Sequence, residues 1–159
     1  MTEMVVRTES RPVAQLIQGW AEGKTTLKEI KGYSDAELYA IAHQGYFFLI
    51  QGKNDEAKTI FEGLVAIDPR NDYYYRALGV IYHKLGDADR AIKQFTYATR
   101  VAPSNLAAFI NRAEVYVATG RRREALADLD HAVTLARDPT TQLAGKARAL
   151  GDYLRTTMK

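Results

Sequence analysis

The chain has 159 residues, 47% of them hydrophobic and 26% charged, with a formal net charge of +3 and no cysteine. That length suits one domain or one array of small units, and the composition excludes disorder along the whole chain. No apolar run approaches the roughly 20 residues of a membrane span, the start "MTEMVVRTESRP" lacks the apolar stretch of a secretory signal, and the lack of cysteine removes disulfides and thiolate metal sites and suits the cytoplasm.

Residues 1–10 are predicted to form a flexible N-terminus and residues 11–35 an N-terminal helical segment. Val13, Leu16, Ile17 and Trp20 recur at i, i+3, i+4 and i+7, the pattern of an amphipathic helix. Such an apolar stripe needs cover, either from the chain's own array or from a second copy of the protein. The stretch "GWAEGKTT" (19–26) imitates a phosphate-binding loop, but Gly19 and Gly23 enclose three residues where the pattern needs four. A helix rather than a strand also precedes it. It reads instead as a helix end followed by a glycine-containing loop.

Beyond this segment the sequence repeats. "GKNDEA" (52–57), "GDADRA" (86–91) and "GRRREA" (120–125) follow one another at intervals of 34 residues. Other columns keep the same step: Gly45, Gly79 and Ala113; Phe48, Tyr82 and Tyr116; Phe61, Phe95 and Leu129; Leu64, Ala98 and Ala132. "IDPRN" (67–71) and "VAPSN" (101–105) close the first two units. A period of this length signals stacked helix pairs, and the pattern resembles the tetratricopeptide repeat. The second unit fits best, with Tyr75, Leu78-Gly79, Tyr82, Ala91, Phe95, Ala98 and Pro103. The first has Gln44 in place of Leu. The third departs further, with Arg112 at the Leu position and Arg137 where Pro is expected.

The expected fold is all-α: three repeats (38–71, 72–105 and 106–139, within a span of 36–139) in a right-handed superhelix, with flanking N-terminal helices. Gly45 and Gly79 are expected where helices approach closely, and Asp55 or Asp89 is expected to help start the second helix of its unit. Arg121-Arg122-Arg123, followed by Glu124, Asp128 and Asp130, reads as a solvated loop and helix start; with no broad basic face, no nucleic-acid binding is predicted. A helix over 140–159 is expected to cap the array, with Leu143, Ala147, Leu150 and Leu154 on its packed stripe.

In this fold the first helix of each unit faces a concave groove. Unit one then offers Tyr39, Ala42, His43, Tyr46, Leu49 and Ile50, and unit two Tyr73, Arg76, Ala77, Val80, His83 and Lys84. Unit three offers Ala107, Ile110, Asn111, Glu114, Val117 and Ala118. A mostly aromatic and aliphatic wall suits a peptide with a few apolar anchors; Tyr73 could alternatively be a contact between repeats. The carboxylate clamp that tetratricopeptide co-chaperones use for heat-shock tails would fall at Ala42, Tyr46, Ala77, Ala107 and Asn111. None of these is cationic, which argues against that role. His43 and His83 lack partners at metal-ligand spacing, and no nucleophile–base pair is evident, so neither a metal, a cofactor nor catalysis is predicted.

The layout before the repeats extends the resemblance. A short apolar helix, Gly23-Lys24-Thr25-Thr26, a short helix with Leu27 and Ile30, then Ser34-Asp35 and Leu38-Tyr39 opening unit one are similar to the class II chaperones of bacterial type III secretion, the SycD/LcrH group. The resemblance spans roughly residues 12–155. It implies a cytoplasmic chaperone that holds a hydrophobic translocator client before export, with a segment of Pro-x-Leu-x-x-Pro type in the groove. Tyr39, His43, Tyr46 and Tyr73 occupy client-contacting places of that family, His43 departing from an expected aromatic. The resemblance also implies dimerisation through the N-terminal helix, here Val13, Leu16, Ile17 and Trp20. The same groove would equally serve an adaptor for another bacterial assembly. No membrane partner is expected.

Overall fold

The computed structural model describes residues 12–157, so the predicted flexible N-terminus, residues 1–10, lies outside the described residues. Every described element is a helix. Two short ones, α1 (Val13–Ala21) and α2 (Leu27–Lys31), precede three antiparallel pairs: α3 (Asp35–Ile50) with α4 (Asn54–Ile67), α5 (Asp72–Lys84) with α6 (Ala88–Val101), and α7 (Leu106–Ala118) with α8 (Arg122–Leu135). A last helix, α9 (Gln142–Thr157), follows. Each helix packs on its chain neighbour from α3 onward, and α3, α5, α7 and α9 also touch in sequence. The first helices of the pairs thus form one layer and the second helices another.

The turns within each pair follow from the repeated glycine. Gly52, Gly86 and Gly120 take φ of 75°, 81° and 74°, a left-handed conformation that costs glycine no Cβ clash. This lets Lys53 N, Asp87 N and Arg121 N donate back to the carbonyls of Phe48, Tyr82 and Tyr116 at 2.9, 2.9 and 2.8 Å. Those carbonyls would otherwise be orphaned at the helix ends. The corners between pairs are closed by the recurring asparagine: Asn71 Oδ1 accepts from Tyr73 N (3.1 Å) and Asn105 Oδ1 from Ala107 N (3.0 Å). The second helices start differently from expectation. Asp87, not Asp89, caps α6 by accepting from Arg90 N, and α4 has no side-chain cap. Asp55 and Asp89 sit one position into the first turn, where their charge favours the positive helix end.

The core forms where small columns meet large ones. Ala57, Ala91 and Ala125 are fully buried, as are Phe61, Phe95 and Leu129 to within 1%. A Cβ placed on Gly79 would lie 2.5 Å from Phe95 Cε1, and one on Gly45 would lie 2.9 Å from Phe61 Cε2. Gly79→Ala is therefore expected to destabilise by about 1–3 kcal/mol through overpacking, outweighing the roughly 1 kcal/mol that alanine gains in helix propensity. Gly63, with nothing within 4 Å of its added Cβ, is the control. Urea denaturation of Gly63→Ala should show stability raised by up to about 1 kcal/mol.

The third unit keeps the fold by other means. Arg112, at the column of Leu78, forms a two-pronged pair with Asp128 (Nε–Oδ2 2.7 Å, Nη2–Oδ1 2.6 Å) and donates to Thr96 Oγ1 at 2.9 Å. Its guanidinium lies within 6 Å of the Phe109 and Tyr116 rings. Asp128 is buried, not solvated: its carboxylate neutralises a cation that replaces a core leucine. Past Leu135 the chain makes a longer corner, in which Asp138 Oδ1 accepts from Thr140 N.

Helix α9 then places Ala147 in step with Gly45, Gly79 and Ala113, so the capping helix is the first helix of an unfinished fourth unit. At the place of the turn glycines it has Leu154, 1% exposed, and the helix runs on. Its buried stripe is Ala144, Ala147, Gly151 and Leu154. Leu143, expected on that stripe, is instead exposed at the first turn of α9, and Leu150 is half-buried.

Candidate functional site

The sequence assigns the groove wall to the exposed faces of α3, α5 and α7. Ser34 starts α3 with a reciprocal cap: Ser34 N donates to Glu37 Oε2 (2.8 Å) and Glu37 N to Ser34 Oγ (3.2 Å). Apolar residues then run all round α3. Leu38, Ala42 and Gly45 face the core, while Tyr39 stays 68% exposed and Tyr46 49%. A helix apolar on every side with only one side covered by the array leaves surface for a partner.

Tyr39, His43, Tyr46 and Tyr73 line an open cavity of about 230 Å³. Tyr73 is half-buried and meets Phe61 edge-on, with centroids 5.9 Å apart. It is thus both an inter-repeat contact and a wall of the pocket. Burial pushes its hydroxyl above the ordinary tyrosine range, with Arg76 opposing, so at neutral pH it is a phenol able to donate to a peptide carbonyl. A second cavity of about 360 Å³ shares Tyr39 and Tyr73 and continues past Asp35, Ala36, Asn71 and Tyr74 to the rim.

Two cavities at the corners are larger but differ in kind. One, of about 460 Å³, lies between α2 and the α4–α5 corner. Its charged groups are already engaged: Lys28 with Asp35 and with Asp68 (3.1 Å), and Arg70 with Glu29 (3.6 Å) and the Lys24 carbonyl (2.8 Å). These links explain the GKTT stretch. Thr25 and Thr26 are buried, Lys24 N and Thr25 N donate to Gly19 O at 2.7 and 3.0 Å, and Thr26 caps α2. The loop therefore fastens the N-terminal segment to the first corner. The other cavity, about 520 Å³, lies between Leu106, Leu135 and Leu143 at the long corner.

The predicted groove residues divide by burial. His43, Ile50 and His83 are exposed, and Arg76, Val80, Asn111 and Glu114 are half-buried. Ala42, Ala77 and Ile110 are not surface groups: Ile110 is 0% exposed. They belong to the buried core clusters and present almost no surface to a peptide in this structure. Glu114 pairs with Lys146 of α9 at 2.6 Å, a partner outside the three units. Two polar residues that sequence reasoning missed are Asp72 and Asn105. Asp72 Oδ2 accepts from Arg76 Nε (2.9 Å) and from Asn105 Nδ2 (2.7 Å), holding Arg76 at the groove. The repeated asparagine of "IDPRN" and "VAPSN" was the available signal for the second. Phe47 and Ile41 on α3 are further exposed apolar groups.

The N-terminal stripe is not folded back on the repeats. Among the helices α1 touches only α2, and Val13, Ile17 and Trp20 are more than half exposed, with Leu16 half-buried. No described helix is long and apolar enough to cross a membrane, and no described group of three or more His, Asp or Glu could hold a metal ion.

The tetratricopeptide repeat family model matches residues 48–105 and 84–140, more than half of the chain. The chain belongs to the tetratricopeptide repeat family. Among solved structures, this repeat protein superposes with a TM-score of 0.82 on a chain of a type III secretion system complex from Aeromonas hydrophila (23% identical, covering 89% of this chain and 96% of that one). It superposes at 0.77 on the type III secretion translocator chaperone SycD of Yersinia enterocolitica (21% identical, 80% and 97% covered). It superposes at 0.75 on a chain of PcrH in complex with the chaperone binding region of PopD (24% identical, 80% and 98% covered). At these identities the likeness shows a shared fold over most of the chain. The curated relatives are much longer. The chain spans 8% of human Superkiller complex protein 3 (24% identical over 132 residues, 78% of this chain). It spans 32% of Tetratricopeptide repeat protein 36 from Caenorhabditis elegans (42% identical over 59 residues, 37% of this chain).

Proposed function

We propose that this tetratricopeptide repeat protein is a cytoplasmic chaperone that holds a hydrophobic secreted client, of the translocator type, through a segment lying in the concave groove. The observation that carries the reading is the cavity framed by Tyr39, His43, Tyr46 and Tyr73, with two of its tyrosines about half exposed or more. Such rings offer large contact area at little entropic cost, and an apolar side chain of the client fills the space between them. Support comes from the near full-length likeness to a translocator chaperone and to PcrH in complex with a chaperone binding region. The groove binds and releases a chain; no catalytic step, metal or cofactor is assigned to it. Co-expression with a translocator-type protein tests the reading. The client should be soluble with the wild-type chaperone and sediment without it. A client equally insoluble in both cases, alongside recovery of a folded partner on the same groove, would favour an adaptor role.

Two copies are proposed to pair through α1, covering Val13, Leu16, Ile17 and Trp20. Ile17→Asp with Trp20→Asp is expected to shift light-scattering mass from dimer to monomer at micromolar concentration. Its melting temperature should stay within about 2 °C, since these side chains contribute little to the array. A wild-type protein that is monomeric under the same conditions would remove the proposed dimer.

A further inference from the structure

Arg76 is placed to do more than hold a helix. Its Nε is fixed by Asp72, which Asn105 holds in turn, so the guanidinium is pre-set rather than free to swing. Its two terminal nitrogens donate to no described residue, and its side chain keeps 24% exposure. It lies 5.8 Å from the centre of the Tyr73 ring, one wall of the aromatic pocket. The acids nearby are already engaged: Asp72 holds the Arg76 Nε, Asp35 in the adjoining cavity is paired with Lys28, and Glu114, the one acid of unit three's list, with Lys146, while Lys84 is exposed on the same helix. The middle of the groove thus presents an apolar socket beside an oriented cation with unused donors.

We propose that Arg76 reads a carboxylate side chain of the bound segment, so that the groove selects an acidic residue close to the apolar anchor. This rests on the groove reading given above and adds the chemistry of the occupant. A planar guanidinium with both end nitrogens open matches a carboxylate in a two-pronged geometry that an ammonium cannot reproduce. Extended chain advances roughly 3.3 Å per residue. With Tyr73 standing between socket and cation, the acid falls about two or three residues from the anchor. A side-chain carboxylate within the segment is meant, not a chain terminus. The heat-shock-tail clamp needs several cations, and its positions here hold Ala42, Tyr46, Ala77, Ala107 and Asn111.

The test uses fluorescein-labelled synthetic peptides of the form Pro-x-Leu-x-x-Pro with one flanking residue on each side. One peptide carries glutamine at every variable position, and the others carry a single glutamate in each of those places in turn. Fluorescence anisotropy with the full-length protein at low salt should show one glutamate peptide binding about tenfold tighter than the all-glutamine peptide. Arg76→Gln should abolish that preference, read as the ratio of glutamate-peptide to all-glutamine-peptide affinity on the same variant. Arg76→Lys should keep only part of it. If no glutamate peptide gains over glutamine, or the gain survives in Arg76→Gln, the inference is overturned while the groove reading stands. If no peptide of the series binds, the groove reading itself fails and takes the inference with it. Comparing glutamate with glutamine on the same variant cancels any loss of fold. A purely structural role for Arg76 would weaken both peptides alike.

Discussion

Replacing Tyr39 and Tyr46 together by alanine should weaken client binding by about 3–4 kcal/mol, two to three orders of magnitude in affinity, with almost no cost to the fold. Both rings stand on α3 with large exposure, and exposed substitutions normally change stability by about 0.5 kcal/mol or less. The melting temperature is expected to stay within about 2 °C. Tyr73→Ala is not an equivalent test, because its ring also meets Phe61 in the core and some stability would be lost with it. Isothermal titration of the purified client segment against wild type and double variant reads the first effect, and calorimetric melting reads the second. Unchanged affinity in the double variant would mean that the pocket is not where the client sits.

The second large effect concerns stability. Asp128→Ala should cost about 3–5 kcal/mol, because it leaves the Arg112 guanidinium half-buried without its counter-charge. At this chain length that corresponds to a fall of roughly 10 °C or more in melting temperature. Arg112→Leu alone restores the residue type of the second unit but strands Asp128, which is only 7% exposed, and should also destabilise. Replacing the pair, Arg112→Leu with Asp128→Leu, is expected to recover most of the loss, since a well-packed apolar pair is often as stable as a buried ion pair. Chemical denaturation of the three variants measures the coupling directly. Additive losses in the double variant would show that the two side chains act independently.

The repeat architecture was readable because its constraints are local and periodic. Gly79 admits no Cβ beside Phe95, Gly86 must turn left-handed, and both recur at one spacing. What escaped the sequence depended on partners far along the chain. Asp128 looked like part of a charged, solvated stretch; its role appears only when α8 lies against α7 and meets Arg112. Ala42 and Ile110 were assigned to the groove by register, yet both are buried in the core clusters. Leu143 was given to the packed stripe of α9, but at the first turn of that helix it borders an open cavity with Leu106 and Leu135 and stays exposed. In the same way Arg76 was assigned to the groove by register, whereas its orientation depends on Asp72 and on Asn105 from the next corner.

The pocket around Tyr39 is the part of the account on which the function rests. A photo-reactive benzoylphenylalanine at Tyr39, with a matched one at Lys93 on the exposed side of α6, tests it in living cells. Crosslinking followed by mass spectrometry should capture a secreted hydrophobic protein from position 39 and not from position 93. Capture of the same client from position 93 alone would contradict the account.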